Sequence, residues 1–314
     1  MNGHVLTVTL NPAVDKIIKI SNFSLGEEDQ RATGIILSAA GKGINVARAL
    51  KNLGTKSVAT GFLAGSTGNY IQEALRKENL QSAFLDVAGE TRINLTIINS
   101  TTKQTTRLLE PGPKILLKDI TRFKKQYQKL LKRCRWVIFS GSIAPGLPPN
   151  IYSILVTLAK RKGIKTTLDT SGQPFQLGLL AKPFMIKPNL EEAGGIVGYP
   201  LTSMAKIKKA MSYFHQRGVS LVVISMAAKG AVASDGKEIL HAVGPQLQYT
   251  SNVGCGDSSV AGFVDAWGRL GNLKEAISWA VSCGTADLLT LQPGSFQKKI
   301  VRRVRRKVIV KRIG

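Results

Sequence analysis

The apolar residues of this chain switch repeatedly between two periods, and that switching restricts the fold more than composition does. Ile120, Phe123, Tyr127, Leu131 and Cys134 recur at helical spacing, and the run Trp136–Phe139 that follows is uninterrupted and β-rich. Ile151, Ile154, Leu155 and Leu158 return to the helical period. Ile164–Leu168 and Phe184–Lys187 then read as strands, and Leu221–Ser225 as another buried one. Uninterrupted apolar strands are buried on both faces. Alternating with amphipathic helices, they predict a mostly parallel sheet covered by helices on both sides. Two early segments, Asp15–Ser21 and Arg92–Leu109, read as strands without crossover helices. They are expected to form a small separate sheet drawn from about residues 11–40 and 91–110. Ligands of α/β proteins sit at the C-terminal ends of the strands, and a side sheet there acts as a lid. With no linker and no internal repeat, residues 1–314 are expected to be one domain.

Hydrophobic residues make up 43% of the 314, enough for a large core. The run Val5–Leu10 is too short for the apolar region of a signal peptide, and no apolar stretch reaches the length of a membrane span. A cytoplasmic protein without membrane partners is expected. Cys134, Cys255 and Cys283 are scattered, and His4, His215 and His241 show no ligand spacing, so neither a disulfide framework nor a His/Cys metal site is expected. The formal net charge of +25 points to anions: nucleic acid, an anionic membrane surface or a small substrate. Nine Lys and Arg, and no acid, lie between Lys298 and Gly314, yet they are a minority of the 44 cations, so the bias runs through the whole chain. No aromatic residue interleaves the tail, and a nucleic-acid partner is not expected. Ile300, Val304 and Val308 at i, i+4 spacing, then Val308–Val310, read as a closing helix and strand.

Five constellations carry chemistry. In Val253-Gly-Cys-Gly-Asp-Ser258, Gly254 and Gly256 let the backbone approach an anion at the start of a helix, whose free N–H groups point at the same spot. Asp257 there is either a cap or a working carboxylate. In Thr9–Asp15, a strand runs into Asn-Pro and delivers Asp15, which either caps a turn or accepts from two sugar hydroxyls. In Ala40–Leu50, Gly41 and Gly43 open the backbone, Lys42 brings charge, and a helix follows that carries Asn45 on its first turn and stops at Gly54. The spacing is not that of a Walker A loop. Arg92, in Thr91–Asn94, is placed to clamp a phosphate or to sit solvated at a strand edge. In Lys187–Glu192, Asn189 and Glu192 share a helix face, suited to ordering waters around a hard cation or to a capping box. Ser225–Gly230 ends a buried strand in a small-residue turn that admits a nucleotide.

In this order and spacing, the segments TLNPAVD, NFSLGE, AGKGINVARALKNLG, GETRINLTI, EPGPKI, SGSIAPGLPP, LDTSG, AKPFMIKPNLEE and VGCGDSSVAGF resemble the ribokinase/PfkB carbohydrate kinases, from Val5 to about Val310. The resemblance is strongest to the phosphosugar branch that includes 1-phosphofructokinase. It implies a ribokinase-like three-layer α/β/α sandwich with a small β lid. It also implies ATP and Mg2+, and transfer of the γ-phosphoryl group to the 6-hydroxyl of fructose 1-phosphate. Fructose 6-phosphate and tagatose 6-phosphate are the rival acceptors, and a nucleic-acid-binding protein on a kinase fold is the remote alternative. By the same resemblance Asp257 is the base, and Gly254, Cys255 and Gly256 are the anion hole. Asp15, Gly41, Lys42, Asn45, Arg92 and Ser140 fall on the sugar side. Lys187, Asn189, Ser225, Ala227, Gly230 and Asn252 fall on the nucleotide side, with Glu192 reaching the metal through water. A homodimer paired through the lid sheets is also implied. The chain departs from the family pattern at Ala40, Ala227, Asn252 and Cys255. The methyl of Ala227 is expected to crowd the nucleotide or to oppose a positive φ. Cys255, between glycines at a helix N-terminus, is expected to have a lowered thiol pKa and to be reactive.

Overall fold

The computed structural model describes residues 3–26, 29–102, 104–248 and 250–314, so Glu27 of the NFSLGE segment lies outside the described residues. The chain begins with β1 (His4–Thr9), β2 (Ala13–Ile20), β3 (Ala32–Ala40), α1 (Lys42–Leu53), β4 (Ser57–Ala64) and α2 (Gly65–Lys77). It continues through β5 (Leu85–Val87), β6 (Arg92–Asn99), β7 (Thr105–Leu109), α3 (Leu117–Leu130), β8 (Cys134–Ser140), α4 (Ile151–Lys160) and β9 (Lys165–Asp169). Next come α5 (Gly172–Leu179), β10 (Met185–Ile186), α6 (Leu190–Val197), α7 (Met204–Gln216), β11 (Leu221–Ser225), β12 (Ala231–Ser234) and β13 (Ile239–Val243). The chain closes with α8 (Cys255–Leu270), α9 (Leu273–Asp287), α10 (Lys298–Arg305) and β14 (Ile309–Arg312).

Ten strands form the main sheet in the order β14-β13-β12-β11-β10-β9-β8-β1-β4-β5. From β11 to β5 every pairing is parallel, and from β11 to β14 every pairing is antiparallel. Residues along each central strand face alternate sides. Leu6, Val8, Val137, Phe139, Val222 and Ile224 pack with α3 to α7, while Val5, Trp136, Ile138, Leu221 and Val223 pack with α1, α8, α9 and α10. Burial on both faces is what the uninterrupted apolar runs required, and the result is a three-layer sandwich. The second sheet has four strands in the order β3-β2-β6-β7. It hangs off the C-terminal end of β1, and Val14 and Ala39 anchor it to Ile71 and Leu75 of α2.

Several boundaries differ from the sequence reading, and Arg92–Leu109 divides into the two strands β6 and β7. Cys134, counted with the preceding helix, opens β8, because a short 3-10 turn at Leu131–Arg133 ends the helical period first. The strand expected over Phe184–Lys187 shrinks to Met185–Ile186. The tail does form a helix and a strand, but Val301 and Val304 are its buried anchors, and Val308 packs from beyond the helix end. The cations Lys299, Arg302, Arg303, Arg306, Lys307, Lys311 and Arg312 are exposed, whereas Arg305 pairs with Glu275 at 2.5 Å. Among the described residues, no helix is long and apolar enough to cross a membrane.

The tail therefore belongs to the core. Val301→Ala is expected to cost about 2 kcal/mol of stability, and Arg302→Ala on the opposite face less than about 0.5 kcal/mol. Denaturant midpoints of the two variants check the difference.

Candidate active site

The C-terminal edge of the parallel strands gathers most of the singled-out residues. The chain moves outward from β1 to β4 and β5 on one side, and from β8 to β11 on the other. The strand order thus reverses between β1 and β8, where a crevice forms at the strand ends. Ser140 ends β8, Asp169 ends β9, Lys187 follows β10 and Ser225 ends β11. Opposite them, α1 and α8 present their N-termini.

The N-cap of α8 is Gly254, at φ 88°. A Cβ there would lie 2.3 Å from Pro293 Cβ, so conformation and space both require glycine. The same holds at Gly41, the N-cap of α1, where φ is 126° and a Cβ would lie 2.8 Å from Thr9 Cγ2. These two turns aim the two helix starts at one point.

Asp257, on the first turn of α8, is 5% exposed. Its Oδ2 accepts from Asn45 Nδ2 at 2.8 Å. Burial raises its pKa to about 7. Lys42 opposes that rise, Asp169 adds to it, and the Asn45 hydrogen bond and Lys187 oppose it. Asp169 is buried as well. Lys187 Nζ lies 3.3 Å from its Oδ1 and Lys42 Nζ 3.6 Å from its Oδ2. Burial alone would raise the Asp169 pKa, but Lys187 and Lys42 outweigh it and hold the carboxyl below its ordinary value. Asp169 in turn is the largest cause of the raised pKa of Lys42, against the opposing effect of burial. A Cβ on Gly256 would be 3.5 Å from Lys187 Nζ, so this ammonium sits beside the backbone at the start of α8. A primary alcohol placed at Asp257 would thus have a proton acceptor, two cations and the free N–H groups of a helix start around it.

The small sheet closes the other side. Asp15 Oδ1 accepts from Asn94 Nδ2 at 2.9 Å, across the parallel pair of β2 and β6, and burial raises the Asp15 pKa. Arg92, at the start of β6, donates to the carbonyls of Asn11 at 2.9 Å and Glu110 at 3.2 Å, while its Nε has no partner. Among the described residues no carboxylate pairs with its guanidinium directly, so the fork retains donor capacity toward an anion. Ser140 is fully buried, its Oγ has no partner among the described residues, and it lies opposite Asp169 in the register of β8 and β9.

Beside Asp257 opens a cavity of about 650 Å³. Asn189, Ser225, Ala227, Gly230, Asn252, Cys255 and Gly256 line it, and Lys187 lies just outside that lining. Its far wall comes from Gly244, Leu247 and the α9 residues Val281, Gly284 and Thr285, which no motif announced. Asn189 and Glu192 form a capping box: Asn189 Oδ1 accepts from Glu192 N at 2.7 Å, and Glu192 Oε2 from Asn189 N at 2.9 Å. The other Glu192 oxygen has no protein hydrogen bond among the described residues. Ala227 does adopt a positive φ, 50°, the conformation its methyl disfavours.

The expectation for Cys255 is overturned. Burial, then the neighbouring carboxylates Asp287 and Asp257, push its thiol up to about 12, and together they outweigh the helix N-terminus. Asp169 and Arg48 are the residues the sequence reading missed. Asp169 stands inside LDTSG, where nothing local marks it, because both of its lysines come from elsewhere in the chain. Arg48 looks like a solvated helix residue in sequence, yet it is 4% exposed.

A profile of the pfkB family carbohydrate kinases matches residues 8–298. The chain belongs to this family of carbohydrate kinases. It is 35% identical over 291 residues to the 1-phosphofructokinase of Bacillus subtilis, covering 93% of this chain and 94% of that protein. It is 34% identical over 293 residues to the tagatose-6-phosphate kinase of Staphylococcus epidermidis, covering 92% and 94%. Its fold overlays the crystal structure of Escherichia coli phosphofructokinase-2 in complex with potassium with a TM-score of 0.90, at 25% identity over 97% and 98% of the two chains. The three-layer sandwich with its small second sheet is the ribokinase-like fold of these pfkB-family neighbours.

With its thiol pKa at about 12, Cys255 is expected to resist iodoacetamide at pH 7.5 and to react only as the pH rises well above 10. Mass spectrometry of the labelled Cys255 peptide across pH checks this, and fast labelling at neutral pH would overturn the assigned environment.

Proposed function

We propose that the chain is an ATP- and Mg2+-dependent phosphosugar kinase that transfers the γ-phosphoryl group to the 6-hydroxyl of fructose 1-phosphate, giving fructose 1,6-bisphosphate. One observation carries the reading: a buried carboxylate, Asp257, with a pKa of about 7, at a helix N-terminus and flanked by Lys42, Lys187 and a nucleotide-sized cavity. Phosphoryl transfer asks a protein for positioning and charge neutralisation rather than for covalent chemistry. Asp257 takes the proton of the sugar hydroxyl as the new O–P bond forms and the bond to the leaving phosphate oxygen breaks. The N–H groups at Gly254–Gly256 and the ammonium of Lys187 stabilise the charge on the moving phosphoryl oxygens. Lys42 adds a second cation at the acceptor side.

The walls fit a nucleotide: Gly230, Gly244 and Ala228 leave the cavity open, and Ser225 and Asn252 offer polar groups at its rim. Mg2+ bound with the nucleotide neutralises phosphate charge and keeps most of its waters. Glu192, with one carboxylate oxygen uncommitted, is the residue that would hold it through water, and Asn189 fixes the orientation of Glu192.

On the acceptor side, Asp15 and Asn94 suit a pair of sugar hydroxyls, and Arg92 suits the substrate phosphate. A second acceptor, tagatose 6-phosphate, is favoured by the 34% identity to a tagatose-6-phosphate kinase, one point below that to the 1-phosphofructokinase. Both sugars present a free primary hydroxyl at one end and a phosphate at the other. Pairing of two copies through the small sheets is part of the same reading. Ile35, Leu37 and Leu108 share one face by register and are 57%, 48% and 56% exposed. The E. coli phosphofructokinase-2 has a tetrameric inhibited form.

ATP turnover with fructose 1-phosphate, fructose 6-phosphate and tagatose 6-phosphate tests the assignment. The highest kcat/KM is expected for fructose 1-phosphate, and turnover of none of the three would refute the reading. Asp257→Asn is expected to lower kcat by about 10²–10⁴-fold with little change in either KM. Because the base works ionised, wild-type kcat is expected to rise with pH through about 7 and to level above it. Arg92→Ala is expected to raise the phosphosugar KM about 10- to 100-fold, the loss of one charge-assisted phosphate contact, and to leave the ATP KM nearly unchanged.

A further inference from the structure

Arg48 stands three residues after Asn45 on α1 and points inward, 4% exposed. A buried guanidinium has five N–H donors to satisfy, and here each finds an acceptor. Nε donates to Glu78 Oε2 at 2.6 Å, and Nη2 to Glu78 Oε1 at 3.1 Å and to the Ala39 carbonyl at 3.0 Å. Nη1 donates to the Pro293 carbonyl at 2.9 Å and to Asn45 Oδ1 at 3.2 Å. The bidentate ion pair with Glu78 fixes the plane of the fork, and Gln292 donates to Glu78 Oε1 from the far side.

The bond to Asn45 is the one with a chemical consequence. An amide can present either its oxygen or its nitrogen to a neighbour. Arg48 can only donate, so it captures the oxygen and leaves the Asn45 NH2 facing Asp257 Oδ2. Without Arg48 the amide is free to turn, and a carboxylate facing an amide oxygen has lost its donor. The other partners of Arg48 lie at structurally distinct places. Ala39 is in the last residues of β3, where the small sheet joins α1. Pro293 is in the loop whose ring Gly254 packs against. One guanidinium therefore ties together the root of the small sheet, the Pro293 loop that lies beside Gly254 at the start of α8, and the amide that faces Asp257.

We propose that Arg48 is a positioning residue for the phosphoryl-transfer site: it fixes the Asn45 amide so that Asp257 is held, ionised and aimed, by an N–H donor. The inference rests on Asp257 being the proton acceptor of the proposed kinase reaction. The groups that face Asp257 are Lys42 and Asn45 of α1, Asp169 at the end of β9, Lys187 after β10 and Cys255 on its own helix, with Asp287 of α9 beside Cys255. Arg48→Lys keeps the positive charge that also acts on Asp287 and leaves the identity of every group facing Asp257 unchanged, so a shift in the titration of Asp257 reports the orientation of the Asn45 amide.

The experiment is a double-mutant cycle of Arg48→Lys and Asn45→Ala, read in two ways. Carboxyl 13C NMR of the ligand-free protein, with the Asp257 signal assigned by its loss in D257N, reports ionisation without requiring turnover. Each single variant is expected to raise the Asp257 pKa by about one unit, the loss of one hydrogen bond to the charged form, and the double variant to match N45A alone. The low-pH limb of kcat is expected to move upward with it, again without further change in the double variant. An unchanged Asp257 titration in R48K, or additive losses in the double variant, would overturn the proposal and leave Arg48 a packing residue. Should R48K not fold, Glu78→Gln loosens the same fork from a residue that is 25% exposed. A shift of the same sign and smaller size is then expected, and no shift would count against the proposal. If wild type turned over no phosphosugar while the NMR shift appeared, the kinase reading would fail, and Arg48 would stand only as the residue that orients Asn45 toward Asp257.

Discussion

Asp169 is a carboxylate with almost no access to water, and its charge is retained because two ammonium groups lie 3.3 and 3.6 Å away. A buried charge that loses its partners is among the costliest defects a fold can carry. Lys42 reaches Asp169 from the end of the small sheet's last turn into α1, and Lys187 from the short strand β10, so the one carboxylate joins chain segments far apart in sequence. The cluster also sets the character of Asp257. Asp169 raises its pKa, while Lys42 and Lys187 lower it, and burial outweighs the difference. Burial is the largest cause of the rise to about 7, and the cluster moderates it.

Much of the layered fold was legible because its signal is local. The uninterrupted run Trp136–Phe139 implied burial on both faces, and the observed strand sends Val137 and Phe139 to one side and Trp136 and Ile138 to the other. Gly41 and Gly254 were legible as places where the backbone can approach an anion at a helix start, whereas their positive φ and the lack of room for a Cβ depend on Thr9 and Pro293, which lie elsewhere in the chain. Phe184–Lys187 was legible as a strand but not as one of only two residues, since its length is set by its neighbours β9 and β11 rather than by its own apolar run.

The parts of the site that the sequence hid are those whose meaning lies in another segment. The lysines of Asp169 stand more than a hundred residues before it and about twenty after. The Cys255 thiol was misjudged because the helix N-terminus is visible in sequence, whereas the burial that raises its pKa most, and the carboxylate of Asp287 that adds to it from the end of a different helix, are not. The far wall of the cavity, on α9, is built of small residues that read as ordinary helix interior. The charge of +25 was equally opaque. It is the excess left after every acid is counted, Asp169, Glu78 and Glu275 included, and no second motif interprets it.

The final strand gives some of that remaining charge a use. β14 lies at the end of the ten-strand order, with one side paired to β13 and the other facing outward among the described residues. An open edge of this kind is a template on which another copy of the chain can add a strand. Lys311 and Arg312 stand exposed on it, and Lys307 just precedes it. Like charges meet whenever two such edges approach, and that repulsion opposes edge-to-edge pairing. The charge that meets there is carried by this short terminal segment. A polyanion that neutralised it would remove the repulsion and leave the backbone donors and acceptors of the outermost strand free to recruit a neighbour, without loosening a single residue of the core.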